Sequence, residues 1–200
     1  MAEIAVPDQE YLIQGDLTLG TPSQVNRSGW TGKRKVIGLP GIELWAGAFS
    51  IADIATEEME RPWRAFIYAL RGPLNWFKWI LPCNTHAGSK PTVRSGASNG
   101  YTLPLAGLAP STTILKAGQY ITVPLPSGYD RAVCLTADLI SNSSGQATAT
   151  FEPALGETPT VGVTVETKDP FVRMSLTATR NGLQTVDGIS GGNFDVEEAR

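Results

Sequence analysis

The sequence predicts a mainly β protein: an antiparallel β-sandwich with one α-helix and an inserted small antiparallel β-barrel. Glycine occurs 21 times and proline 14 times among the 200 residues, dispersed between short alternating runs. Such punctuation is typical of sandwiches and barrels. Only one segment has a convincing helical period, and 42% hydrophobic residues suffice for an ordinary packed core.

The first part of the chain predicts weak strands followed by a hairpin. Strand signals are weak at residues 10–13 and 17–19 and stronger at residues 33–37 and 42–49. A proline–glycine pair at 40–41 supplies a turn between the last two runs. We therefore expect these two strands to pair with each other before the helix begins.

An amphipathic helix is predicted near residues 57–71. The apolar residues that share one face at 3.6 residues per turn are Met59, Trp63, Phe66, Ile67 and Leu70. Three glutamates in the first turn suit the positive end of the helix dipole. At the other end, Gly72 can adopt the left-handed cap conformation and Pro73 prevents continuation.

The strand predicted after the helix, residues 75–81, has apolar side chains on both faces. Such a strand needs a cover on each side, which either the same subunit or a neighbouring one can provide. Tryptophan-rich strands usually belong to a core. The candidates for a core or an interface are Trp63, Phe66, Trp76, Phe77 and Trp79.

The second half of the chain predicts a compact all-β module. Residues 83–99 contain little that could build a core and are expected to form a loop. Residues 142–145 are typical of a hairpin loop. Five short strands in about 55 residues are enough for a small barrel. These strands are predicted at residues 101–105, 114–115, 119–125, 131–140 and 146–151.

Two domains follow from this pattern. A sandwich made of residues 1–98 and 158–200 contains the helix, and residues 99–157 form the inserted barrel module. The glycine-rich stretch before residue 194 is expected to be irregular. The remaining strand signals are at residues 161–166, 171–179 and 194–196.

Composition and charge argue against several classes of function. The 16 Lys and Arg are scattered and outnumbered by 19 Asp and Glu, so we expect no sequence-specific binding of nucleic acid. No stretch approaches the roughly 20 apolar residues of a membrane span. The first residues also lack the basic and apolar regions of a secretory signal.

Residues suited to catalysis or metal binding are few. His86 is the sole histidine, and Cys83 lies three residues before it. Together they could supply two zinc ligands, whereas a catalytic site needs three and a structural site four. Cys134 has no partner at metal-binding spacing. We therefore expect no catalytic residue, no metal and no cofactor.

Several phrases of the sequence, in order, carry a family resemblance. They include RPWRAFIYALRGPLNWFKWILP, LKAGQY and TADLISNSSGQATATFEPAL. Residues 29–200 thereby resemble the tail-tip structural proteins of long-tailed bacteriophages, of the distal tail protein type. In these proteins the helix is followed by LRG and a strand rich in Trp and Phe. One departure is Gln119, where the family favours an acidic residue.

The resemblance implies a virion component, a minor tail protein of the tail tip or baseplate, assembled in the host cytoplasm. It implies a homo-oligomeric ring, expected to be a hexamer, that joins the tail tube protein to the tip or hub proteins. The function would then depend on subunit interfaces rather than on an enzymatic reaction. A ring subunit needs two different, complementary surfaces.

Two alternatives remain open at the level of sequence. One is a carbohydrate- or receptor-binding β module that uses exposed aromatic residues, for which Trp30, Tyr101 and Tyr129 are the best candidates. The other is a different minor tail protein or a tail-tube protein with a related sandwich.

Overall fold

The computed structural model describes residues 1–8, 12–38, 43–81, 86–186 and 189–200, and only the backbone of residues 14, 52, 53 and 186. The described residues are mainly β, with several antiparallel sheets and a single α-helix, which confirms the prediction of a mainly β protein with one helix. The helix α1 spans Glu57–Leu70. The strands are β1 Leu12–Gly20, β2 Ser23–Arg27, β3 Arg34–Gly38, β4 Leu44–Ile54, β5 Phe77–Ile80, β6 Thr92–Val93, β7 Thr102–Ala106, β8 Thr113–Leu115, β9 Tyr120–Pro124, β10 Asp130–Leu135, β11 Leu139–Ile140, β12 Ala147–Glu152, β13 Phe171–Leu176, β14 Gln184–Val186 and β15 Ile189–Glu198.

The chain divides into two compact units. The first contains Met1–Gly20, Leu44–Trp79 and Arg173–Arg200, and the second contains Thr21–Glu43 and Ile80–Val172. The second unit thus extends beyond the predicted module at residues 99–157, because flanking segments pair with its sheet and residues 21–43 also belong to it.

The first unit is built on a sheet with strand order β1-β4-β15-β13-β5, with β14 paired to β15. Phe49 of β4 lies opposite Phe194 of β15 and both point into the core. The closing strand is longer than the predicted 194–196. The glycine-rich stretch expected to be irregular instead forms the pairing of β14 with β15.

The predicted hairpin between residues 33–37 and 42–49 is wrong. Strand β3 pairs with β2, and β4 pairs with β1. A strand that pairs with β4 extends its buried layer, which contains Trp45 and Phe49, and must therefore bury a side chain itself. Every residue of β3 is exposed, whereas Leu12 of β1, opposite Ile51, is buried. The predicted turn at 40–41 lies outside the described residues.

Helix α1 differs from its prediction on one side and at its end. Met59 is exposed, whereas Glu60 is buried and binds the Arg64 side chain, whose guanidinium lowers the pKa of Glu60. Met59 therefore does not belong to the buried face. Arg71, with φ 52°, adopts the left-handed conformation expected for Gly72, and Gly72 follows with φ 63°. A Cβ on Gly72 would lie 2.9 Å from the Ala178 carbonyl oxygen, so this close approach favours glycine.

The second unit contains a sheet with strand order β6-β7-β12-β10-β9, a separate β8–β11 pair and the β2–β3 hairpin. The predicted run 131–140 is two strands, β10 and β11, separated by a bend. The predicted strand 161–166 consists of isolated bridges instead: Thr164 pairs with Thr92 of β6, and Glu166 pairs with Thr122 of β9. One short segment therefore pairs with both edge strands of the five-stranded sheet.

Candidate protein interface

The aromatic residues singled out in the sequence lie together in the core of the first unit. Phe66 of α1 meets Phe77 of β5 edge-to-face at 5.6 Å, and Phe77 meets Phe49 at 5.5 Å. Trp63 packs edge-to-face on Phe66 at 5.7 Å, and Trp79 reaches Phe49 at 6.5 Å. All five candidate side chains, Trp76 included, are at most 8% exposed.

On the opposite face of the tryptophan-rich strand, Trp76 is covered within the same unit, whereas Lys78 is half-buried. The Arg173 guanidinium lies 4.3 Å from the centre of the Trp76 ring, a cation–π contact. The Ile4 N–H donates to the Trp76 carbonyl at 2.8 Å, and the Trp76 N–H donates to the Ala2 carbonyl at 3.1 Å. Lys78 forms an ion pair with Glu3 at 3.0 Å. The N-terminal residues, for which the sequence suggests no role, thus complete the edge of this strand.

A different segment has the exposure expected of an interface. Residues 23–38, which we call the exposed hairpin, comprise β2, β3 and the turn between them. Every residue from 21 to 38 is exposed. The turn is closed by the Ser28 N–H to the Lys33 carbonyl at 2.9 Å and the Gly32 N–H to the Ser28 carbonyl at 3.0 Å. A two-stranded hairpin without a covering layer is marginally stable in water.

The exposed hairpin is strongly basic. It contains Arg27, Lys33, Arg34 and Lys35 and no acidic residue, so its charge is +4 while the net charge of the chain is −3. The remainder of the chain is therefore at −7. Among the described residues, none of these four cations forms an ion pair. Arg27 lies directly opposite Arg34 in the hairpin register, a like-charge pair that destabilises an isolated hairpin.

Apolar side chains accompany these charges. Val25 lies opposite Val36, and both are about half exposed. Trp30, at the turn, is 100% exposed, whereas the other four tryptophans are at most 8% exposed. Exposed Trp and Arg side chains are typical of the residues that dominate protein interfaces. The exposed hairpin thus combines an aromatic anchor with cations that need an anionic partner.

A buried arginine fixes the end of the segment that contains the exposed hairpin. Arg131 of β10 is 1% exposed, and it donates to the Glu43 carbonyl at 2.8 Å and to the Ala154 carbonyl at 3.3 Å. Its charge-assisted bonds hold residue 43 against the five-stranded sheet.

Burial and the nearby Glu43 carboxylate raise the pKa of Glu152.

The residues considered for metal binding or catalysis do not assemble into a site in the described part of the chain. Within the described ranges, no three His, Cys, Asp or Glu side chains lie close enough to hold a metal ion. His86 Nδ1 lies 2.7 Å from Thr167 Oγ1, and burial lowers the pKa of the imidazole. Cys83 lies outside the described residues. Burial raises the pKa of the Cys134 thiol, which makes it a weak nucleophile.

The sequence contains a local cluster of Lys and Arg in the exposed hairpin, which the net charge of the whole chain does not reveal. Lys and Arg are scattered over most of the chain, but four of the 16 fall within residues 27–35. Trp30 entered the sequence argument only as part of a possible aromatic platform with Tyr101, which is exposed, and Tyr129, which is half-buried. A net charge counted over short windows would have separated this segment from the rest.

The fold and the candidate interface define a mainly β protein with an exposed basic hairpin. Comparison with known families and with curated proteins finds no family model and no protein that matches the chain. Among the residues that the structure describes, no helix has the length and apolar character needed to cross a membrane.

Proposed function

We propose that this protein is a structural subunit of a bacteriophage tail tip, where it forms a ring that joins the tail tube to the baseplate or tip hub. A sequence resemblance and an exposed surface support this proposal. The phrases of residues 29–200 resemble distal tail proteins. The exposed hairpin provides the kind of uncovered surface that an assembly subunit needs.

The exposed hairpin is the observation on which this proposal rests. A subunit of a closed ring presents two different surfaces, one to each neighbour. An uncovered pair of strands with a fully exposed tryptophan and four cations is costly for an isolated subunit, because it gains little from burial. In an assembly, the same side chains become the contact surface.

Electron microscopy and mass spectrometry test the proposal. We expect the purified protein to form closed rings in negative stain and to be present in tails purified from the phage that encodes it. A matched variant lacking residues 24–37, closed by a Gly-Gly turn, should remain folded and form no rings. A protein that stays monomeric at high concentration and is absent from virions overturns the proposal.

A carbohydrate-binding module is the second candidate, and the complete exposure of Trp30 favours it. A sugar ring stacked on this indole would change its fluorescence without any change in oligomeric state. Titration of a Trp30→Ala variant and the parent with a panel of oligosaccharides separates the candidates. Saturable binding that depends on Trp30, in a protein that remains monomeric, supports the binding module over the ring.

A position elsewhere in the tail is a variant of the main proposal. Labelling intact phage with antibodies against the protein decides between them. We expect label at the tip alone, whereas label along the whole tail would assign the chain to the tube.

A further inference from the structure

One face of the six-stranded sheet in the first unit is open and acidic. In the register of β15 with β4, Asn193 lies opposite Ser50, Asp195 opposite Ala48 and Glu197 opposite Ala46, so these six side chains share a face. The alternate residues Phe194 and Val196 point to the core. The six residues, which we call the acidic sheet face, place two carboxylates above a floor of small side chains.

The carboxylates of the acidic sheet face are exposed and have no ion-pair partner among the described residues. The cations on the neighbouring strands of this sheet have other contacts: Lys78 with Glu3, and Arg173 with the Trp76 ring. Asp195 and Glu197 thus remain available to a cationic partner.

We propose that the exposed hairpin of one copy of this chain docks on the acidic sheet face of a second copy. This inference rests on the proposed ring, and it names the two surfaces that meet. One face of the hairpin offers Arg27 and Arg34, and the sheet face offers two carboxylates; within the described ranges none of these four groups forms an ion pair. Docking relieves the repulsion between Arg27 and Arg34, because carboxylates then lie near both guanidinium groups.

The dimensions of the two surfaces match. Each hairpin strand contains five residues, as does the segment from Asn193 to Glu197, so each spans about 14 Å. Carboxylates two residues apart on one strand face are roughly 7 Å apart, and opposite side chains of a hairpin are about 5 Å apart. Ala46, Ala48 and Ser50 leave room for a second layer to approach. Such a layer would cover the apolar pair Val25–Val36 and Trp30.

The contact is heterologous, because hairpin and sheet face are different surfaces of the chain. Heterologous contacts generate rings when the rotation between copies closes. The same contact repeated around an axis therefore uses each surface once in every subunit.

A charge-exchange experiment tests this docking on the full chain. Arg27→Glu/Arg34→Glu reverses the two opposed cations on one face of the hairpin, Asp195→Lys/Glu197→Lys reverses the sheet face, and a fourth protein combines both. Sedimentation velocity over a concentration series should show that each reversal raises the concentration needed for association by about tenfold or more. The combined variant should recover association, since the charges are again opposite.

Matched variants control for net charge and folding. Lys116→Glu/Arg180→Glu and Glu58→Lys/Asp169→Lys change the same number of exposed charges elsewhere and should leave association unchanged. Circular dichroism should show a parental fold for each protein. If the reversed sheet face fails to fold, the neutral pair Asp195→Asn/Glu197→Gln replaces it and should weaken association less, in the same direction.

Zero-length carbodiimide cross-linking of mixed ¹⁴N and ¹⁵N copies locates the contact. We expect mixed-isotope links from Lys33, at the turn next to Arg34, to Asp195 or Glu197. Links to other carboxylates, or association that ignores reversal of the sheet face, overturn the docking while leaving the ring proposal standing. A parent that never self-associates also overturns it, and mass spectrometry of tails then decides the ring proposal separately. A duplex DNA probe provides a further test. If reversing the hairpin charges abolishes binding to this DNA and leaves self-association unchanged, the hairpin binds phosphate groups and not the acidic sheet face.

Discussion

The aromatic cluster around α1 and β5 and the exposed hairpin show opposite uses of tryptophan in one chain. In the cluster, Trp63 and Trp79 pack against other aromatic residues and are buried. In the hairpin, Trp30 stands among lysines and arginines and is fully exposed. The density of apolar residues therefore indicates a core, whereas an isolated aromatic residue within a cationic stretch indicates an interaction surface.

The physical cause of this difference is the availability of apolar neighbours. A tryptophan side chain buries a large area only if other side chains surround it, which the helix and the sheet provide for Trp79. The hairpin provides no second layer for Trp30. Its apolar surface is therefore covered only when another molecule supplies that layer.

Replacing a tryptophan in each region should produce the largest contrast. We expect Trp79→Ala to lower the free energy of unfolding by about 3–5 kcal/mol, because it leaves a cavity beside Phe49. Trp30→Ala should change it by less than about 0.5 kcal/mol, since the side chain has no packing to lose. Urea unfolding followed by circular dichroism measures both values.

For ring assembly we expect Trp30, and not Trp79, to be the tryptophan whose interface contacts are required. Trp30→Ala should abolish ring formation in negative stain while the fold is kept. A Trp79→Ala protein that is as stable as the parent but forms no rings would instead make the buried cluster the interface.

Loss of the buried arginine should have the next largest effect. We expect Arg131→Met to cost about 3 kcal/mol, because the buried carbonyl groups of Glu43 and Ala154 lose their donors. The exposed Arg94, which donates to Gln146, provides the control as Arg94→Met, expected to cost under about 1 kcal/mol. Equal stability of the two variants in chemical denaturation would contradict this role for Arg131.

Removing the like-charge pair should separate stability from association. Arg27→Thr is expected to stabilise the monomer by about 0.2–1 kcal/mol, since Arg34 loses its repulsive neighbour. The same change should weaken association because the hairpin loses one cation. Thermal unfolding of dilute protein and sedimentation at high concentration give the two readouts. An Arg27→Thr protein whose stability and association both rise, or both fall, would contradict this prediction.

Acidification should have the smallest effect, in the second unit. Burial raises the pKa of Glu166, but the Lys90 ammonium and the N–H groups of Asp169 and Lys168 outweigh it, so the pKa lies below its ordinary value of 4.5. The ionised carboxylate therefore stabilises the fold above the unfolded-state pKa, and this stability is lost as the pH falls through the lower folded-state value. Glu166→Gln should lose under about 1 kcal/mol at pH 7 and much less at pH 3. A penalty that grows on acidification would contradict the assignment.

The sequence was sufficient to predict those helices and strands that depend on local periodicity and on the turn residues between them. The helix over Glu57–Leu70 and the strands β7, β9, β10 and β12 follow from alternation and from turns between them. Strand pairing could not be predicted in the same way. The partner of β4 depends on which strand can bury a side chain opposite Ile51, as β1 does with Leu12, and that is a property of the whole sheet.

The candidate interface was the least predictable part for a related reason. The strand at β3 was expected, but its exposure was not, because Val36 and Ile37 have the character of core residues. The burial of the aromatic cluster on both faces depends on Arg173 and on residues 2–4, which are remote in sequence from Trp76. No local pattern contains that information.

Quenching of tryptophan fluorescence by acrylamide tests directly whether the exposed hairpin forms the subunit interface. In dilute protein, Trp30 should be the one tryptophan open to the quencher, since the other four are buried. As the concentration is raised and rings form, we expect the quenchable fraction of the fluorescence to disappear in step with association. The Trp30→Ala substitution should remove this fraction at every concentration. Rings in which Trp30 remains fully quenchable would contradict the assignment of the exposed hairpin to the subunit interface.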